Sequence, residues 1–162
     1  MLSEKMTSTL NKQINMELYS SYIYMAMSEY FQANNLKGFA NWMNVQAGEE
    51  LSHANKIRHY LNEQGARVVL SEVGAPPKEW DSPLAAFEAA LGHEKKVTAS
   101  IKELVTLAKE EKDYATEIML GWFVSEQVEE ESSADEIVQK LRMIKDSAHG
   151  LFMMDSFLGQ RK

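Results

Sequence analysis

The sequence predicts an all-α domain: a bundle of four long helices, with a long crossover between the second and third and a short fifth helix at the C-terminus. Three observations carry this. Apolar residues recur every three or four positions through four stretches, near residues 4–34, 37–64, 83–110 and 113–146. All three prolines, Pro76, Pro77 and Pro83, fall between the second and third stretches or at the start of the third. Each apolar stripe is also interrupted near its middle by a glutamate.

Ser3 followed by Glu4 reads as a helix start, and the stripe Leu10, Ile14, Glu17, Ser21, Tyr24, Ser28, Phe31 runs to a stop at Asn34-Asn35. A short turn leads into the second helix, from Leu36 or Lys37 to Gln64, with Gly65 as its C-terminal stop. Its inward stripe is Phe39, Met43, Gln46, Glu50, His53, Ile57 and Tyr60. So short a turn makes the first two helices antiparallel neighbours.

Residues 65–81 contain Gly74, two of the prolines and a short β-prone run from Arg67 to Leu70. Seventeen extended residues reach roughly 56 Å, whereas a helix of about 28 residues is roughly 42 Å long, so this connection can cross the bundle lengthwise. Ser82 before Pro83 caps a third helix with the stripe Leu84, Phe87, Leu91, Glu94, Thr98, Ile101, Val105, Ala108. Asp113 caps a fourth, running to about Asp146, with Thr116, Leu120, Phe123, Gln127, Glu130, Ala134, Ile137, Leu141 and Ile144 inward. After Ser147 to Gly150, the apolar tail Leu151 to Leu158 reads as a short helix left exposed unless a partner covers it, which points to an oligomer. Gly48, Gly92 and Gly121 lie inside long helices, where close packing is the only account available for them.

Composition narrows the function. A chain of 162 residues fits one domain, residues 1–162, with 1–146 forming the bundle and 147–162 the short helix and tail. With no cysteine, disulfides, thiolate metal sites and thiol catalysis are excluded, and a reducing cytoplasmic setting is expected. A net charge of −7 argues against nucleic acid as a partner and suits a protein that attracts cations. No segment is apolar enough to enter a membrane, and Met1 to Lys12 reads as untargeted.

Glu17, Glu50, Glu94 and Glu130 each sit near the middle of a helix, and mid-helix residues stay level whichever way a helix points. The four stripes therefore place Glu17, Glu50, His53, Glu94, Gln127 and Glu130 in one layer at half height. Taken alone, each has a plain explanation: a single inward glutamate is usually hydrogen-bonded or partly solvated, and a lone histidine usually belongs to the core or the surface. Four carboxylates converging in a poorly solvated core repel unless protons or cations neutralise them, and one imidazole is too little. Oxygen ligands with one imidazole and no thiolate suit iron, manganese or zinc, and two ions balance the charge better than one. Tyr24, seven residues after Glu17, is placed either to hydrogen-bond a ligand and supply an electron or to serve as a core aromatic. Glu49, Glu126 and Glu129 can converge beside the layer, although on the residues alone a solvated acidic face is the readier explanation. His59, His93 and His149 belong to no such constellation.

With these residues placed, the chain resembles the bacterial and archaeal haem-free ferritins along essentially its full length. The resemblance rests on Glu17 with Tyr24, on Glu49-Glu50-Leu51-Ser52-His53, on Glu94, and on Glu126-Gln127-Val128-Glu129-Glu130. It implies a first iron held by Glu17, Glu50 and His53, with Glu50 bridging to a second held by Glu94 and Glu130. It further implies Gln127 lining the second position, Tyr24 beside the pair, and a third iron at Glu49, Glu126 and Glu129. Di-iron oxidases and haem-containing bacterioferritins carry a second Glu-x-x-His on the fourth helix, where this chain has Gln127 and Glu130, so the second iron is expected to be held more weakly. Leu51 replaces the haem-binding methionine of bacterioferritins, so haem is not expected. The implied activity is ferroxidation of Fe²⁺ to Fe³⁺ by O₂ or H₂O₂, with ferric mineral stored inside a homo-oligomeric shell of twenty-four subunits. The alternatives are a di-iron oxidase or peroxidase that retains no iron, and a structural bundle whose protonated polar layer binds none.

Overall fold

The computed structural model describes residues 1–162 and contains five helices: α1 (Glu4–Ala33), α2 (Lys37–Glu63), α3 (Pro83–Glu111), α4 (Tyr114–Ile144) and α5 (Ala148–Leu158). Four begin on the side chain expected to satisfy free backbone N–H groups. Ser3, Ser82, Asp113 and Ser147 accept from the amides of Met6, Ala85, Thr116 and Gly150. The Ser147 cap starts α5 three residues before the expected Leu151. Asn35, Gly65 and Lys112 adopt left-handed backbone (φ 59°, 68° and 55°) just beyond the ends of α1, α2 and α3.

α2 has no side-chain cap of its own. Instead Asp155 of α5 accepts from the amides of Gly38 and Phe39 at 2.8 and 3.1 Å, setting a carboxylate against the positive end of the helix. This contact requires glycine, since a Cβ on residue 38 would lie 1.6 Å from the Asp155 carbonyl oxygen. The close packing expected at Gly48, Gly92 and Gly121 is not found: a Cβ at any of them meets nothing within 4 Å.

The crossover runs lengthwise along α1, as its length permits. Near its start, Asn11 donates to the Arg67 carbonyl at 3.0 Å and accepts from the Val69 amide at 2.8 Å; farther on, Asn15 donates to the Glu72 carbonyl at 2.9 Å. At its far end Trp80 packs edge-on against Tyr30 with ring centroids 5.4 Å apart. α3 thus begins beside the end of α1 and runs parallel to α2, while Ser3 donates to Glu111 at the opposite end. α5 packs against α2 and α4, with Asp155 at the start of α2. The exposed apolar face expected of it is present in Phe152, Met153 and Phe157, while Met154 and Leu158 are buried against the bundle. No helix is long and apolar enough to cross a membrane.

The core is two apolar clusters rather than one. The first gathers Tyr24, Phe31, Phe39, Trp42, Phe87 and Leu141; the second gathers Met6, Leu10, Leu61, Leu104, Leu120 and Phe123. Along every long helix the residues separating them are polar and buried, and they include Glu17, Glu50, His53, Glu94, Gln127 and Glu130.

Candidate metal centre

Each long helix delivers its mid-length polar residue to this gap, so the level layer expected from the stripes is present. Two triads form, Glu17 with Glu50 and His53, and Glu50 with Glu94 and Glu130; in each, one ligand atom per residue lies within 4.8 Å of the others. Glu50 belongs to both. Its Oε2 lies 3.2 Å from His53 Nδ1, and Glu17 Oε2 lies 4.0 Å from the same nitrogen.

Glutamine amides hold the outer sides of these carboxylates. Gln13 donates to Glu17 Oε1 at 2.8 Å and itself accepts from Ser100. Gln46 donates to both Glu50 Oε1 (2.9 Å) and Glu130 Oε2 (2.7 Å). Gln127 donates to Glu94 Oε2 at 3.1 Å, and Tyr24 donates to Glu94 Oε1 at 2.5 Å. Of the two roles open to Tyr24, the contact with a candidate ligand is therefore present, although the ring also belongs to the apolar cluster. Glu17 Oε2 is the one buried side-chain polar atom left without a partner. Such an orphan is costly, and a cation between Glu17, Glu50 and His53 would satisfy it.

The proton affinities reflect the crowding. Burial, then the Glu50 charge, raise Glu94 to about 8 and Glu130 to about 7. Burial and Glu50 likewise raise Glu17 well above the carboxylate range. Burial pulls His53 down, but its hydrogen bond to Glu50 and the charges of Glu50 and Glu17 outweigh this and lift it to about 9. The layer therefore holds protons in place of cations, which divalent ions would displace. Carboxylates with one imidazole form a donor set that iron fits.

Glu49, Glu126 and Glu129 line one cavity of about 350 Å³ together with His53 and Glu130. Their carboxylates share this opening to the buried layer but are not drawn together as the two triads are. Four residues at or near the site had no role in the sequence reading. Gln13 and Gln46 are the amides just described, and Gln46 lay on the α2 stripe, where it read only as packing. His93 contacts Ser20 at 2.7 Å, and burial lowers its proton affinity. Arg161, beyond α5, lines the cavity and pairs with Glu49 at 2.7 Å.

Residues 7–144 match the family described as Ferritin-like domain. The chain is 41% identical over 161 residues to the bacterial non-heme ferritin of Bacteroides fragilis, covering 99% of this chain and 100% of that one. It is 38% identical to the bacterial non-heme ferritin of Staphylococcus aureus, covering 99% and 97%. Its structure superposes with a TM-score of 0.99 on the open pore ferritin of the hyperthermophilic archaeon Archaeoglobus fulgidus, at 52% identity over 100% of both chains.

Proposed function

The chain belongs to the ferritin family, and from that premise we propose that it stores iron, oxidising Fe²⁺ at the buried layer and depositing Fe³⁺ as mineral within a shell of its own copies. The observation that carries the reading is the pair of buried triads sharing Glu50, with the orphaned Glu17 oxygen turned towards one of them. Glu17, Glu50 and His53 bind the first Fe²⁺; Glu50, Glu94 and Glu130 bind the second. Each iron gives up one electron, and the acceptor takes both together with two protons from solvent: O₂ becomes H₂O₂, or H₂O₂ becomes two molecules of water. Protons held by Glu94, Glu130 and His53 leave as the irons enter. Hard oxygen ligands favour the ferric product, while the single imidazole still holds ferrous iron.

Tyr24 holds Glu94 in place beside the pair, while Gln127 fixes the other oxygen of Glu94. The second position has Gln127 where an imidazole would bind more firmly, so its iron is the more readily released. The cavity lined by Glu49, Glu126 and Glu129 offers the departing ion a third position. The outward-facing Phe152, Met153 and Phe157 of α5 are covered by neighbouring subunits, in a shell of twenty-four by analogy with the family, in the cytoplasm.

Aerobic addition of Fe²⁺ in excess of two per subunit, followed by gel filtration with iron detection, tests this. Many irons per subunit co-eluting with a large particle are the expected result. Oxidation without retained iron would instead indicate a di-iron oxidase, and no iron binding would leave only a structural bundle.

A further inference from the structure

Arg161 lies in the tail beyond α5, at least 31 positions from every residue of the two triads, yet its guanidinium reaches their surroundings. It stacks over the Trp42 ring at 4.3 Å and donates to the Trp42 carbonyl at 3.2 Å, while Asn41 holds the Arg161 carbonyl at 2.9 Å. So anchored, its Nη2 donates to Glu49 at 2.7 Å and to Gln46 Oε1 at 2.9 Å. Arginine has donors and no acceptor, so the Gln46 atom facing it has to be the oxygen. That fixes the opposite end of the amide. Gln46 Nε2 is thereby turned inward, where it donates to Glu50 and Glu130 together.

We propose that Arg161 is a positioning residue for the second metal position, acting through Gln46 to hold Glu50 and Glu130 in their ligating orientation. The inference rests on the two-iron reading of the layer. Glu130 belongs only to the second triad, and Glu50 is also fixed by His53, so losing the relay weakens the second position far more than the first. Glu17 has an independent counterpart in Gln13, held from behind by Ser100 and untouched by Arg161. The tail beyond α5 is thus part of the metal site's supporting structure.

Zn²⁺, which does not turn over, is the probe. Calorimetric titration of the assembled parent protein should resolve two steps. Arg161→Leu should weaken the second by about tenfold or more, the usual effect of losing a hydrogen-bond partner to a ligand, and the first by less than about threefold. Gln46→Leu keeps the Arg161 contacts with Glu49 and Trp42 and should produce the same selective loss. The double variant should lose no more than either single one, because the two act in series. A residue that merely anchors the tail would lower thermal stability and leave both steps unchanged, which overturns the proposal, as would additive losses in the double variant. A parent that binds no second Zn²⁺ overturns both this inference and the two-iron reading; a parent that binds two, with unaffected variants, overturns the inference alone.

Discussion

Two regions of the core lie on the same helical stripes and are equally hidden from water, yet they differ in what they lack. In the aromatic cluster, Phe31, Phe39 and Phe87 meet with ring centroids 5.0, 6.1 and 6.0 Å apart, and all three rings are fully buried. Seven residues from Phe87 along α3, Glu94 enters a layer that closes only by holding protons. One orphaned oxygen remains there even so. Burial in the first region stabilises the fold; burial in the second is a cost that the fold bears because the site can then attract cations.

The largest effect should come from breaking the first region. Phe87→Ala removes a fully buried ring and should cost about 3–5 kcal/mol in denaturant unfolding of the apo protein, while iron oxidation per folded subunit stays near the parent's. A loss under about 1 kcal/mol would mean that the cluster does not carry the stability assigned to it.

The layer should respond the other way. Losing a partner to a ligand costs about 10–100-fold, so losing a ligand should cost at least as much; Glu17→Ala or His53→Ala should slow fast Fe²⁺ oxidation by roughly 100-fold. The helical fold should survive in both: Glu17→Ala should keep the apo melting temperature near or above the parent's, because an unpartnered buried oxygen is removed, whereas His53→Ala should lower it, because the cation facing Glu50 and Glu17 is lost. Oxidation at the parent rate in either variant would remove that residue from the site.

The contrast also marks what the chain shows without coordinates. The stripes, Ser3, Ser82, Pro83, Asp113 and the mid-helix glutamates signal themselves locally, through caps at fixed offsets and a period that any helix must repeat. These were enough for the bundle, the crossover and the six-residue layer. What stayed hidden joins residues far apart in sequence without periodicity. Asp155 serves as cap to a helix 117 positions earlier, and Arg161 reaches Gln46 across 115. Nothing in the sequence marks Gly38 at the start of α2, whereas Gly48, Gly92 and Gly121 stand out inside helices yet are uncrowded. A glycine's reason lies in what approaches it, and its own neighbours in sequence do not record that.

A smaller, graded effect separates the two regions by pH. Glu94 at about 8 and Glu130 at about 7 are raised from 4.5, and His53 at about 9 from 6.5, so the folded protein keeps each proton longer than the unfolded chain does. Stability from a raised group is fully present below its unfolded value and is lost as pH climbs through the folded one. All three act in the same direction, so the apo protein should lose about 5 °C or more in melting temperature between roughly pH 5 and pH 9. Glu94→Gln should flatten this slope and Phe87→Ala should leave it intact. A melting temperature that rises over this range would mean that the layer does not hold the protons assigned to it.

The smallest effect concerns the cavity beside the layer, which resembles neither region. Glu49 is largely exposed and already paired with Arg161, so water and one fixed cation meet its needs without iron. Little stability depends on such a pair. Glu126 and Glu129 stand one helical turn apart on α4 and share the cavity with His53 and Glu130, so on the proposed reading an ion leaving the second position would pass between them. Replacing all three, as Glu49→Ala/Glu126→Ala/Glu129→Ala, should leave the apo melting temperature within a few degrees of the parent's and the oxidation of the first two irons fast. Iron oxidised per O₂ consumed should change, and recovery over repeated additions should slow a few-fold, because the third position is gone. Stopped-flow oxidation with oxygen uptake measures both quantities. Unchanged stoichiometry with unchanged recovery would reduce the three glutamates to a solvated acidic face, and would place the whole of the iron chemistry inside the two buried triads.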